Sequence, residues 1–260
     1  MKYLRTAAIW AACLLGSACS IKEAREVCPC RLDILLEECL PLTREVTLSA
    51  WSDGRVFTQA LTVADYPEVY SRWVPKGKLR LTALSGVREE ACQEGEWILP
   101  RGSACDSIWT CTAEVDCRGE TSSVIIMLKQ QFATVHLSIN DLAPDEEYPY
   151  RLILRSQVDG LSLPDCQPHE GEWSRTILQN REGRYVFRIP RQQDGSLKLD
   201  MLLAGRKADS FPVGEHILKS GYDWTADRLA DIYIGMDYGG TETHIRIEPW
   251  ENGNVYESII

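Results

Sequence analysis

The chain has 260 residues, 44% apolar and 25% charged, which suits one large domain or two modest ones and excludes a disordered polar chain. Its formal charge of −10, with no run of Lys and Arg, means that phosphate neutralisation cannot drive tight nucleic-acid binding, so no nucleic-acid partner is expected. No low-complexity tract occurs, and 18 Gly and 12 Pro are too few for a collagen-like or linker-dominated chain.

The N-terminus has the order of an export signal. Lys2 and Arg5 precede an apolar stretch from Ala7 to Leu15, and Gly16, Ser17 and Ala18 lead to Cys19. That stretch is well short of the roughly 20 residues that span a bilayer. Leu15-Gly16-Ser17-Ala18-Cys19 resembles a bacterial lipobox, in which cleavage precedes a cysteine that receives diacylglycerol. The expectation is a lipoprotein signal peptide over 1–18, lipidation at Cys19 and a polar stem over 19–27. An ordinary signal peptide that happens to contain Cys19 is the plainer alternative. Each buried acyl methylene contributes about 0.8 kcal/mol, so two or three chains would hold the protein on a membrane nearly permanently. Cleavage would leave 26 cationic and 38 anionic residues, and the resulting charge of −12 would keep the body off anionic lipid.

Eight cysteines follow: Cys28, Cys30, Cys39, Cys92, Cys105, Cys111, Cys117 and Cys166. An even number in an exported chain points to disulfides, and the spacings C-x-C and C-x5-C without a nearby histidine do not suit zinc. Neither does C-x-C suit thioredoxin-type redox chemistry. Eight cysteines allow 105 pairings. Only Cys166 lies beyond residue 134, so complete pairing would require one bridge between the two halves.

In chain order, Leu32–Leu36, Val46–Trp51 and Leu79–Leu84 read as short strands separated by Pro, Gly and Asp signals. Residues 123–140 carry two apolar runs broken at Lys129-Gln130-Gln131, which divides the chain into a first β-sandwich over 28–132 and a second over 133–260. Tyr150–Val158, Arg184–Ile189, Leu197–Leu203, Ile232–Tyr238 and Thr243–Ile247 continue the strand pattern, with turns at Asp194-Gly195 and Gly239-Gly240. Thr225–Ala230 is the one expected helical turn, capped by Asp223 or Thr225. Strands at this spacing imply an all-β chain rather than βαβ units. Glu94-Gly95-Glu96-Trp97 recurs 76 residues later as Glu170-Gly171-Glu172-Trp173, a weak sign of related domains.

Chemistry-bearing motifs are missing. G-x-S-x-G, H-E-x-x-H, the phosphate-binding G-x-x-x-x-G-K and the dinucleotide glycine fingerprint do not occur. His136, His169, His216 and His244 are dispersed and carry no metal or catalytic pattern. Glu89-Glu90 and Asp145-Glu146-Glu147 lack the calcium-loop spacing. Trp73, Trp97, Trp109 and Trp173 could line a glycan groove, although aromatics in such sandwiches more often pack the core. The expectation is a protein that is not an enzyme, with no catalytic residue, cofactor or metal.

Both ends of the chain resemble one family. Phe211-Pro212-Val213-Gly214-Glu215, Gly221-Tyr222-Asp223-Trp224, the run from Leu229 to Tyr238 and Ile245-Arg246-Ile247-Glu248-Pro249-Trp250 are similar to the ending of the fimbrial anchor family, minor subunit lipoproteins of Gram-negative type V pili. A lipobox followed by Cys28-Pro29 and an apolar strand is similar to that family's start. The resemblance implies two transthyretin-like Greek-key β-sandwiches. It further implies attachment to the outer membrane through acylated Cys19, exposure at the cell surface, and fimbrial subunits as partners in adhesion and assembly. A surface glycan-binding lipoprotein is the alternative. The tail Val255, Tyr256, Glu257, Ser258, Ile259 and Ile260 is β-forming and partly apolar. It reads either as a partner-docking segment donated to the adjacent subunit or as an edge strand folded back on its own domain.

Overall fold

A computed structural model of the chain describes residues 28–88, 92–93, 96–141, 150–163, 165–178, 184–203, 205–238, 243–249 and 255–259. The signal peptide, Cys19, the stem, Glu89-Glu90, Glu94-Gly95, Asp145-Glu146-Glu147, Gly239-Gly240, Trp250 and Ile260 lie outside them.

The first half contributes β1 (Cys30–Leu35), β2 (Glu45–Trp51), β3 (Arg55–Thr62), β4 (Tyr70–Val74), β5 (Lys78–Ser85), β6 (Cys92–Gln93), β7 (Glu96–Ile98), β8 (Trp109–Asp116), β9 (Thr121–Ile125) and β10 (Lys129–Gln130). The second contributes β11 (Phe132–Asp141), β12 (Tyr150–Ser162), β13 (Gln167–Ile177), β14 (Tyr185–Pro190), β15 (Lys198–Leu203), β16 (Arg206–Phe211), the helix α1 (Val213–Lys219), β17 (Ile232–Tyr238), β18 (Thr243–Pro249) and β19 (Tyr256–Ile259). The all-β expectation holds, and each strand read from the sequence is present with ends moved by a few residues. Alternation explains why. In β1, Cys30, Leu32 and Ile34 turn inward while Arg31 faces water, and in β2 Val46, Leu48 and Ala50 do the same.

The two halves share one topology. In the first, β1 lies between antiparallel β4 and parallel β9, and the facing sheet runs β8-β5-β2-β3. In the second, β11 lies between antiparallel β14 and parallel β17, and the facing sheet runs β16-β15-β12 with β13 on the other side of β12. Strand for strand, β1, β2, β3, β4, β5, β8 and β9 correspond to β11 through β17. Both halves share this seven-stranded unit, in which the seventh strand returns parallel to the first, and the second half adds β18 and β19 beyond β17.

The recurrence of Glu-Gly-Glu-Trp does not trace this duplication. Trp97 is on β7 and Trp173 on β13, strands that flank opposite edges of β12 and have no equivalence in the repeat. The true repeat lies in pairing order, which leaves no short identity behind.

Each sandwich has its own core. One cluster takes Leu32, Ile34, Leu48, Leu81 and Ile126 among others. The second gathers residues from β11 to β18, together with Trp97, Leu99, Cys105 and Ile108 from before residue 132. Residues 96–108 therefore belong with the second sandwich, where β7 adds to β12, before β8 resumes the first. At about 1.5–3 kcal/mol for each large apolar side chain fully removed from water, burying Trp97, Leu99 and Ile108 fixes this excursion. Gly160 on β12 makes the pairing possible, since a Cβ there would sit 1.9 Å from the Trp97 carbonyl oxygen.

The helical turn expected at Thr225–Ala230 is not helical. Asp223 Oδ1 accepts from the Thr225 N–H at 2.8 Å and from its hydroxyl at 2.6 Å, a local turn that competes with a helix. The helix is α1 instead, which buries Val213, His216 and Ile217 on one face at helical spacing.

Candidate functional site

The tail forms a strand. Residues 256–259 pair with β18 in the register Ile247↔Tyr256 to His244↔Ile259, which makes β19 the outermost strand of the order β14-β11-β17-β18-β19. Tyr256 packs against the second core and its ring lies 5.8 Å from that of His216 on α1. Arg246 and Glu257 face each other across the pair, with Nε 3.8 Å from Oε1. The alternative in which the tail folds back on its own domain is thus the arrangement observed. Val255, half exposed, precedes the strand. β19 is short and carries Glu257, two features that discourage indiscriminate edge pairing, and its outer edge has no strand partner among the described residues.

Beneath this strand, His216 is 4% exposed, and neither ring nitrogen has a hydrogen-bond partner among the described residues. Burial lowers its pKa, the neighbouring Lys219 ammonium lowers it further, and Glu215 opposes both. His136 Nε2 donates to Asp231 Oδ2 at 3.1 Å, and its ring stacks on Tyr233 at 4.6 Å. His169 Nδ1 lies 2.6 Å from Asp159 Oδ1, with Nε2 3.8 Å from Glu96. The Asp159 hydrogen bond raises the His169 pKa. Gly171 leaves room for this carboxylate, since a Cβ there would meet Asp159 Oδ2 at 2.0 Å. His244 is exposed on β18. The structure does not bring the four histidines together.

The cysteines fall into distinct surroundings. Cys28 is exposed, Cys105 is buried in the second core, and Cys30 and Cys117 are buried in the first. Cys39 donates weakly to the Ile126 carbonyl at 3.7 Å, and the Cys111 thiol is hydrogen-bonded to the Met127 backbone, so both approach the 126–127 segment. Burial raises Cys39 to about 11 and also raises Cys111 and Cys105. Cys166 occupies the tip of the β12–β13 hairpin in a left-handed conformation, φ +54°. There Thr112 donates to its sulfur at 3.2 Å, and Arg80 pairs with adjacent Asp165. The hairpin of the second sandwich therefore touches β5 and β8 of the first.

A second junction had no signal in the sequence beyond the break at Lys129-Gln130-Gln131. Gln131 donates to the Thr110 hydroxyl at 2.7 Å and, from its N–H, to the Ile108 carbonyl at 2.9 Å. The Gln130 N–H reaches the Asp227 carbonyl at 2.9 Å. Arg191 then places its guanidinium against the carbonyls of Gln130, Trp224 and Ala226. Arg228 lies over Trp109, which packs edge-on to Phe132. A half-buried arginine held through its terminal nitrogens by main-chain oxygens leaves no sequence pattern, because its partners are backbone groups on distant segments.

Of the four tryptophans that could line a groove, Trp97 and Trp173 are core residues and Trp109 packs partly buried between the cores; only Trp73 is exposed, at 64%. A cleft of about 710 Å3 in the second sandwich is lined by Arg101, Arg155, Glu172, Asp194, Ser196 and Lys198, with buried Trp173 behind them.

No protein-family model matches the chain, and no curated protein matches it in sequence. Solved structures do match its fold. A candidate polysaccharide-binding protein from Bacteroides thetaiotaomicron aligns with TM-score 0.69 at 13% identity, over 88% of this chain and 98% of that one. A candidate adhesin from Bacteroides ovatus aligns with TM-score 0.65 at 12% identity, over 90% and 98%. The fimbrial anchor protein Mfa2 from Porphyromonas gingivalis aligns with TM-score 0.62 at 14% identity, over 89% and 100%. At the level of fold, the resemblance read from the two ends of the sequence is borne out.

Proposed function

We propose that the chain is a non-enzymatic, lipid-anchored surface protein of the outer membrane that serves as an anchor or minor structural subunit of a fimbria, supporting adhesion and fimbrial assembly. The observation that carries this reading is the extent of the fold match, which takes in both sandwiches and the whole length of a structure described as a fimbrial anchor. The lipobox-like sequence ending in Cys19, the acidic body and the resemblance at both termini point the same way. Fimbrial subunits would be the protein partners and acyl chains on Cys19 the membrane attachment. The tail residues Val255, Tyr256, Ile259 and Ile260 would form the docking segment, either by pairing along the outer side of β19 or by release of β19 from β18.

Cross-linking in intact cells followed by purification from detergent-solubilised membranes tests the role. Fimbrial subunits are expected among the cross-linked neighbours, and Cys19→Ser is expected to move the protein to the aqueous phase or leave its signal uncleaved. Normal acylation of that variant, or membranes yielding the protein with no fimbrial subunit, would reject the reading.

The cleft of about 710 Å3 favours one alternative, a surface glycan binder, because its mixed cations and carboxylates offer hydrogen bonds to hydroxyl groups. The similar structure described as polysaccharide-binding adds to this. Polysaccharide binding without fimbrial partners, abolished by Arg155→Ala, would favour it.

A further inference from the structure

Two thiols meet inside the first core. Cys30 opens β1 in the three-stranded sheet, and Cys117 immediately follows β8 in the facing sheet. Both have 0% exposure and belong to the same apolar cluster. The Cys117 N–H donates to the Gly77 carbonyl at 2.7 Å, and the chain then turns so that the Arg31 N–H reaches the Glu120 carbonyl at 2.8 Å. These bonds hold the 117–120 loop over the start of β1, and the Cys30 and Cys117 side chains are in hydrogen-bond contact. Of the other cysteines whose side chains are described, Cys39 and Cys111 approach Ile126 and Met127 beyond the opposite end of β1, Cys105 is in the second core, Cys166 is at the tip of the β12–β13 hairpin, and Cys28 is exposed outside the core that holds Cys30 and Cys117.

We propose that Cys30 and Cys117 form a disulfide that joins the two sheets of the first sandwich. Formation in the cell rests on the export reading. Each thiol loses its proton, one bond forms between the two sulfurs, and the two electrons pass to a disulfide oxidant, which leaves as two thiols. Burial and the neighbouring Cys30 hold the Cys117 thiol up at about 11, so thiolate is scarce once the sandwich has closed and exchange belongs to the folding chain. The bridge would tie residues 87 apart in sequence.

Refolding the reduced, denatured full chain with oxidised and reduced glutathione, then alkylating and digesting it without reduction, is the decisive test. A peptide pair joining Cys30 to Cys117 is expected. Both residues alkylated in the folded product, or either joined elsewhere, would overturn the proposal. Stability gives a second readout that does not require a perturbed single variant to fold well. Reductant should shift the unfolding equilibrium of the refolded chain about a hundredfold toward the unfolded state. It should do much less to Cys30→Ala/Cys117→Ala, and equal sensitivity of the two proteins would count against the bridge. The same digest on chain recovered from membranes tests export separately: a pair that forms on refolding yet is reduced there would contradict export while supporting the pairing.

Discussion

At the scale of single residues, His169 shows how a dispersed histidine gains a specific environment from pairing alone. Asp159 and His169 are ten residues apart, and the β12–β13 hairpin puts their side chains 2.6 Å apart with Glu96 of β7 alongside. The His169 pKa is raised, chiefly by the Asp159 hydrogen bond. A base whose folded pKa exceeds its unfolded value, near 6.5, contributes stability that is fully present below about pH 6.5 and is lost as pH rises through the folded pKa. Asp159→Asn should return the His169 titration, followed by its ring proton shifts, toward about 6.5 and flatten that part of the stability profile. An unchanged titration would mean that Asp159 is not the cause. Nothing in the sequence marked this pair, because His169 gave no motif and Asp159 lay just past the strand read over Tyr150–Val158.

At the scale of elements, β19 and α1 act on each other. His216 has the opposite sign to His169: burial depresses its folded pKa, so its contribution is present above about pH 6.5 and is lost as pH falls. Protonating a ring with no hydrogen-bond partner among the described residues should loosen α1 and the Tyr256 contact before the rest of the domain. Hydrogen exchange of 256–259 is therefore expected to accelerate on acidification, and His216→Phe should remove the acceleration. If exchange there ignores pH, the ring is not the trigger. Deleting 251–260 removes the β18–β19 pairing and the packed Tyr256, with an expected loss of about 2 kcal/mol in chemical denaturation. Unchanged stability would mean that the tail contributes little to its own domain. The β-forming character of this tail was legible in the sequence. The partner was not, since edge pairing with β18 and pairing with another chain use the same alternation and the same backbone groups.

At the scale of the whole molecule, two sandwiches with the same strand order are joined by the 129–131 segment, by Arg191 and by the β12–β13 hairpin. Arg191 has lost much of its hydration, which lowers its pKa, and three carbonyls replace the water. Arg191→Met keeps the length and removes the donors, leaving those oxygens short of partners. We expect a loss of about 3 kcal/mol and a broader interdomain arrangement in small-angle scattering. A variant with native stability and scattering would show that the arginine is not the clasp.

The sequence by itself determined the all-β class, the positions of the strongly alternating strands, the break at Lys129-Gln130-Gln131 and the resemblance at both ends. These are local properties: inward and outward alternation is written into each strand whatever its neighbours are. Only the tertiary structure decided that residues 96–108 join the second sandwich, that the duplication lies in pairing order rather than in the repeated Glu-Gly-Glu-Trp, and that Cys30 meets Cys117. It also moved the helix from 225–230 to Val213–Lys219, where Val213, His216 and Ile217 find a core to cover. The reason is common to all of these. A strand's pattern says which side it buries but not which strand it pairs with, and long-range pairing is settled by the combined burial and hydrogen bonding of segments far apart in the chain.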